Sequence, residues 1–591
     1  MDRLLPATAA VVSDARFARR AYLDLWGLLP SPEELNSFVQ SRESDKRERL
    51  VRELLRHNAN YAEHWITFWN DLLRNDEGVN YHGGRKSITG WLRKALEENL
   101  PYDQFVSRLL NPAGEGDPDG FLLGVNWRGD INASQTPVMQ AAQNSAQVFL
   151  GVNLKCNSCH DSFISRWSLA DAYGLASFFT EEKLELVRCD VRTGKLAQPK
   201  FLFPALGRVD LESVPLADRR AKAAELFTRR DNTYFTKTIV NRMWKRLMGR
   251  GLVEPVDDIE APCWNQPLLD YLADDFANNG YDLKHLIGRI MTARAYQSSG
   301  EPRRMTAEQF SDALASITGE WRPVVGPQSK VAEPAREWRH ASNPLTRSLG
   351  RPIRDQVVTE RLSEATMLQA LELANGLTLA RMVDRGAKRL LGQIVPAPQN
   401  LFDSGRVGSG FVMVDLDITG IDQIWLVLED WGSYSPERVL PVWAEAELIG
   451  PQGSTPWQDL GPVQFKETEY SHALRAQREI SQDIAAKGYT RFRAVVGVER
   501  AALASDINPA VRFFVFSEKP DRERLVRLAN EPPNQPSTAP EFSIERLYRH
   551  ALSRDPTERE RALAQRLTAS GAEGLADLIW SLAMLPEFQF L

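Results

Sequence analysis

Cys156-Asn157-Ser158-Cys159-His160 is the string whose residue types and spacing carry the most definite chemistry in this chain. Two thiols separated by two residues, followed at once by an imidazole, form the C-x-x-C-H pattern of c-type haem attachment. The spacing suits that chemistry. The thiols lie about one turn apart and can each reach a vinyl group of the porphyrin, and the adjacent His160 then offers its ring to the iron. With four Cys and eight His in 591 residues, a chance occurrence is improbable. The rival readings are a thioredoxin-like redox pair, half of a zinc site, or a structural disulfide. A zinc site wants a second Cys/His pair nearby, and the sequence around the motif has none. A thioredoxin-like site wants alternating strands and helices, whereas this context is helical. The expectation is therefore one covalent haem c, held by Cys156 and Cys159 with His160 as proximal iron ligand, with zinc or a disulfide as the remaining alternatives.

A second axial ligand decides whether such a haem only carries electrons or keeps an open position for chemistry. The candidates, in order, are His64 in Glu63-His64-Trp65, Met139 one helix before the motif, and His82 in Tyr81-His82-Gly83-Gly84. The bland alternative stands beside each: such a His often makes a hydrogen bond in the core, and Met often fills space. Trp65, Trp69, Phe149, Phe163, Trp167 and Phe179 could wall a porphyrin, or simply pack a core. The other two thiols, Cys189 and Cys263, could pair with each other in an oxidising compartment. Glu254, Asp257 and Asp258 could do acid–base work or bind a cation, but capping and ion pairs with Arg242 or Arg250 are the favoured role. Arg351, Arg354 and Asp355 invite the same reading.

The elements that must position these residues are mostly helices. Ser31-Pro32-Glu33-Glu34 is a helix start, with Ser at the N-cap, Pro at N1 and acids in the first turn. Trp65, Phe68, Trp69 and Leu72 recur at i, i+3, i+4 and i+7, one apolar helical face. Asn232 to Leu247 reads as a helix closed by Gly249 and Gly251. Similar patterns cover Pro267 to Phe276, Leu283 to Ala293 and Thr306 to Thr318. The period then changes to two: Phe411 to Ile418, Ile424 to Leu428, Arg491 to Val498 and Val511 to Phe516 are short strands between turn-rich segments. The expected architecture is a mainly α-helical multidomain protein with an inserted antiparallel β-sandwich. Its parts are a helical domain with the Cys motif at 1–195, the first part of a second helical domain at 196–385, the β insert at 386–520, and a helical completion at 521–591. A chain of this length is too long for one core, since single cores stop growing at about 250–300 residues.

Composition excludes some functions. The 72 basic and 78 acidic residues leave a formal charge of -6, the wrong sign for a general nucleic-acid binder. No apolar run reaches the roughly 18–20 residues of a membrane span. The first residues lack the apolar core of a secretory signal. Because c-type haem is attached outside the cytoplasm, the expectation is a periplasmic or cell-surface protein whose leader has been removed. Dinucleotide, P-loop, nucleophile-elbow and zinc-helix motifs are missing from the sequence.

The stretch from Val148 to Phe179, which contains the Cys motif, resembles the planctomycete-type cytochrome c domain proteins, large proteins built on two paired domains of unknown function. Asn241 to Asp258, Gly350 to Asp355, Ala365 to Gly376, Leu552 to Thr557 and Trp580 to Phe588 resemble blocks of the second paired domain. Many members continue the motif with a second His two residues on; here Ser162 stands in that place, so no role for that His carries over. The resemblance implies a haem protein and no defined reaction. The β insert, with Asp415 to Gly420 and Trp425, Trp431 and Trp443, resembles carbohydrate-binding modules, in which exposed rings stack on sugars, though alternating strands also bury Trp. Three functions follow as expectations. The first is single-haem electron transfer linked to carbohydrate oxidation, with an unknown redox partner protein. The second is a haem-dependent oxidoreductase acting on a sugar. The third is a glycan-binding or scaffold protein in which the Cys pair is structural.

Overall fold

The computed structural model describes every residue except 6–9, 76–86, 115, 124–135, 208, 301, 322–334, 341, 363, 394–399, 432, 434, 486, 504–506, 518 and 521–541. His82 lies outside the described residues. The chain divides into two compact units. One is made of Met1–Trp321, Ser329–Gln393 and Pro540–Leu591; the other of Arg322–Gln328 and Ile394–Ala539. The protein is helix-rich, with its antiparallel sandwich strands between Asn400 and Phe516.

The first unit is built from amphipathic helices whose ends are written locally. Helix Pro32–Gln40 opens on a capping box, Ser31 accepting from Glu34 N–H while the Glu34 carboxylate accepts from Ser31 N–H. Helix Asn58–Leu73 buries the expected Trp65, Trp69 and Leu72. Around Trp69 the rings of Phe68, Tyr102 and Phe105 pack at centroid separations of 4.7–6.0 Å, within the range of favourable aromatic pairs. Helix Thr233–Met248 closes on Gly249 in the left-handed conformation. A short hairpin, Glu185–Arg188 with Val191–Leu196, interrupts the otherwise helical region. A second cluster brings helix Ala307–Thr318 against Leu377–Leu390 and the closing helices Ile544–Leu552 and Ala572–Met584. Arg19, in helix Asp14–Trp26, ties this end of the chain to its beginning by donating to the carbonyls of Ala551 at 2.6 Å and Phe588 at 2.8 Å.

Gly27 shows how tightly the helices close. It ends Asp14–Trp26 at φ +70°, and a Cβ there would stand 2.4 Å from His64 Nδ1. Both the left-handed backbone and the packed ring oppose any side chain. Gly27→Ala is expected to cost about 2 kcal/mol or more; a chemical denaturation midpoint unchanged from the parent would refute this packing.

The second unit is a sandwich of two antiparallel sheets. One carries Phe411–Asp417, Arg491–Val498, Pro441–Gly450 and Ala473–Arg475 in that order, with Gly453–Pro456 on Pro441–Gly450. The other carries Asn400–Asp403, Val511–Phe516, Gln423–Asp430 and Glu479–Asp483. Alternate side chains meet between the sheets, among them Val414, Ile424, Leu426, Trp443, Leu448, Phe492 and Phe513. Trp443 is wholly buried, its ring against Phe513 at 5.2 Å, and cannot meet a ligand. Trp431 is only partly covered and carries the Arg512 guanidinium over its ring at 4.7 Å.

Candidate functional site: the cysteine–histidine turn

Helix Pro137–Leu150 delivers the chain to the motif. Thr136 caps its start, Pro137 takes N1, and Gly151 at φ +62° ends it. That glycine is required: a Cβ would stand 2.9 Å from both Ile259 Cβ and Thr238 Oγ1. Gly151 C=O accepts from Ile259 N–H at 3.1 Å, and Val152 pairs with Asp258 in an isolated bridge. The motif therefore begins from a fixed point.

Cys156–Ser158 is a single 3-10 turn, extended by Cys159 N–H and His160 N–H, which both donate to Cys156 C=O at 3.1 Å. The two residues between the cysteines do the anchoring. Asn157 and Ser158 are 1% and 0% exposed. Asn157 Nδ2 donates to Trp167 C=O, Gln143 Nε2 donates to Ser158 Oγ, and Ser158 Oγ donates to Leu154 C=O at 2.9 Å. With those side chains turned inward, Cys156 is exposed and Cys159 and His160 are half-buried. Positions i and i+3 of a 3-10 turn share a face, so the turn presents Cys156 and Cys159 together.

His160 Nδ1 lies 2.7 Å from Asp161 C=O. A carbonyl can only accept, so in the neutral ring this contact places the proton on Nδ1 and leaves Nε2 with its lone pair, the tautomer an iron ligand needs. Phe163 packs on the His160 ring at 4.8 Å, and Phe163 and Ile164 are 89% and 96% exposed. Adjacent exposed apolar side chains are the kind of surface that a flat apolar group covers. The thiol pair, the tautomer and this apolar flank fit a covalently held haem. Among the described residues no group of three or more His, Cys, Asp or Glu side chains is arranged to hold a metal ion by itself.

Cys189 enters the site from the hairpin. Its N–H donates to Cys159 C=O at 3.0 Å, and its Sγ lies 3.9 Å from the same oxygen. Burial, and then the Cys189 thiol beside it, push the Cys159 thiol above its ordinary value. The structure thus sets Cys189 against Cys159. Cys263 is held in an isolated bridge with Val253.

Of the other candidates, His64 and Met139 are 6% and 2% exposed. His64 lies against Gly27 and Trp65, with Asp24, Arg246, Glu308 and Arg361 as its charged surroundings. Met139 lies in the main core. Both are committed to the interior, while the cysteine turn faces outward. Trp65, Trp69 and Phe149 are buried core residues, as are Trp167 and Phe179 at 6% and 5% exposure, so Phe163 is the ring of that set at the motif surface.

Of the acidic residues beyond the motif, Asp257 and Glu254 are bound into the fold. Asp257 accepts from Gln147 at 2.7 Å, Arg242 at 2.9 Å and Thr359 at 2.7 Å, and Glu254 accepts from Gly251 N–H at 2.7 Å and Lys245 at 2.9 Å. Asp257 borders an open cleft of about 470 Å³, lined also by Asn153, Lys155, Asp355, Gln356 and Thr359. Lys155 immediately precedes Cys156, so the cleft adjoins the turn.

Residues 4–183, including the whole cysteine–histidine turn, match the PSCyt2 domain, described as a protein of unknown function (DUF1549). Residues 219–414 match the PSD1 domain, also described as a protein of unknown function (DUF1553). No curated protein and no solved structure matches the chain. The turn, the helix that delivers it and the blocks at Asn241–Asp258, Gly350–Asp355 and Ala365–Gly376 fall inside these two matches, while Leu552–Thr557 and Trp580–Phe588 lie beyond them, and the chain belongs to the family of proteins in which these paired domains of unknown function occur together.

Proposed function

We propose that this protein is an exported c-type cytochrome carrying one haem, attached through Cys156 and Cys159 and ligated by His160. One observation carries the proposal: a turn whose middle residues are pinned inward, so that two thiols and an imidazole with a free Nε2 face outward together. When bound, the haem supplies one-electron redox chemistry. The protein's own part is to fix the attachment points through Asn157 and Ser158, to hold the His160 proton on Nδ1, and to set exposure. Electron transfer linked to carbohydrate oxidation is the function this supports best, the β-sandwich being the part suited to a sugar or polysaccharide. Among the described residues no helix is long and apolar enough to cross a membrane.

A second reading is direct oxidation of a sugar beside the haem. The cleft favours it: Asn153, Lys155, Asp355 and Gln356 offer amide, ammonium and carboxylate partners for hydroxyl groups next to the turn.

The test is expression with c-type maturation machinery and export, followed by acid–acetone extraction and a pyridine haemochrome assay. Haem is expected to remain with the polypeptide and to be lost entirely from Cys156→Ala/Cys159→Ala. A colourless parent protein from a competent system would end the cytochrome proposal. A spectral change on adding sugar, abolished by Lys155→Ala, would favour the second reading.

A further inference from the structure

Cys189 is not part of the C-x-x-C-H motif. It is the first residue of the two-residue turn joining Glu185–Arg188 to Val191–Leu196, with φ of 45° at Cys189 and 67° at Asp190. Two positive φ values make this the type I′ hairpin turn, in which Asn, Asp and Gly are least strained. A cysteine is not a favoured residue there.

The turn places this cysteine on one neighbour. Its N–H bonds to Cys159 C=O at 3.0 Å. With standard covalent geometry, one such bond keeps the two α-carbons within about 7 Å of each other, close enough for the roughly 4.4–6.8 Å that a disulfide spans. The Cys189 sulfur lies on the same neighbour, 3.9 Å from the Cys159 carbonyl oxygen. Cys189 is exposed and Cys159 half-buried, so a small oxidant can reach the pair.

We propose that Cys159 and Cys189 form a disulfide in the haem-free chain, which makes Cys189 a reversible guard on the second attachment thiol. The oxidant is a disulfide, small or protein-borne. The exposed Cys189 thiolate attacks it, forming a mixed disulfide and releasing one thiol. Cys159, losing its proton to water, then displaces the second thiol. One S–S bond forms and one breaks, two protein thiols are oxidised, and the oxidant leaves as two thiols. The bond would itself involve Cys159 in a second role, since a thioether at Cys159 and a disulfide at Cys159 exclude each other. Only this consequence rests on the haem proposal.

The experiment uses the full haem-free chain, oxidised with glutathione disulfide, alkylated, and digested with trypsin without reduction. The expected product joins peptide 156–166 to peptide 189–192. Cys156→Ser should keep this link, while Cys159→Ser and Cys189→Ser should each lower it more than tenfold. A Cys156–Cys159 bond as the main product, or four alkylated thiols after oxidation, would overturn the inference. If haem attaches, Cys189 in the loaded protein should become open to alkylation; if haem never attaches, the cross-link still stands or falls by the peptide map.

Discussion

Glu308→Ala is expected to remove about 3–5 kcal/mol of stability from the helical unit, a large share of the roughly 5–15 kcal/mol typical of a folded protein. The reason is a buried ion-pair network. Arg361 donates to Glu308 at 2.6 Å and 3.0 Å and to Asp71 at 2.6 Å. Arg354 donates to Asp71 at 2.7 Å, and Arg351 lies 3.6 Å from Glu308. Glu308, Asp71, Arg351 and Arg354 are all under 10% exposed. Removing Glu308 leaves guanidinium groups short of a partner where water cannot compensate, and that penalty exceeds the net worth of the pairs themselves. The network also joins the two family-matched regions, since Asp71 lies in the first and the other members in the second. Neighbouring Arg361 holds the Glu308 carboxyl far below the usual carboxylate range, against the opposing effect of burial. Its stabilisation is therefore present above the unfolded value near 4.5 and lost as pH falls. Urea denaturation at pH 7 checks the mutation; a loss below about 1 kcal/mol would show that the network is not holding the unit together.

Acid should weaken the same unit earlier than its carboxylates alone would dictate, because of His64. Burial, aided by the positive charge of Arg246, lowers its pKa from 6.5 to about 3. In the folded protein the ring stays neutral, while the unfolded chain takes up a proton near the ordinary value. The unfolded state therefore binds more protons between these limits, and stability falls as pH drops from about 6.5 towards 3. At about 1.4 kcal/mol per pH unit, His64 alone accounts for roughly 2 kcal/mol lost by pH 5. Asp24 and Glu308 oppose this by favouring the charged ring, and Arg361 adds to it. Denaturation midpoints measured from pH 7 to pH 5 should decline, and His64→Leu should flatten that decline even if it lowers stability at pH 7. An equal slope in the variant would assign the acid sensitivity elsewhere.

What the sequence determined by itself was local. The C-x-x-C-H spacing defined the chemistry proposed at 156–160 without any knowledge of the fold. The apolar face of Trp65, Trp69 and Leu72 marked a helix, and Ser31-Pro32 followed by two acids marked where another begins, because these signals span only a few residues. Alternation at Phe411–Asp417 marked a strand for the same reason. Tertiary structure decided the rest. It turned Asn157 and Ser158 inward, which is what makes the cysteines face out. It brought Cys189 to Cys159 through a hairpin thirty residues downstream. It buried His64, a ligand candidate by residue type, and Trp443, a stacking candidate by the same logic. It gathered Asp71, Glu308 and Arg361 from positions far apart in the chain. Periodicity reports which face of one element is apolar; it holds no information on which distant element covers that face. Burial and pairing are properties of two elements at once, and for these residues only the folded chain supplies the second.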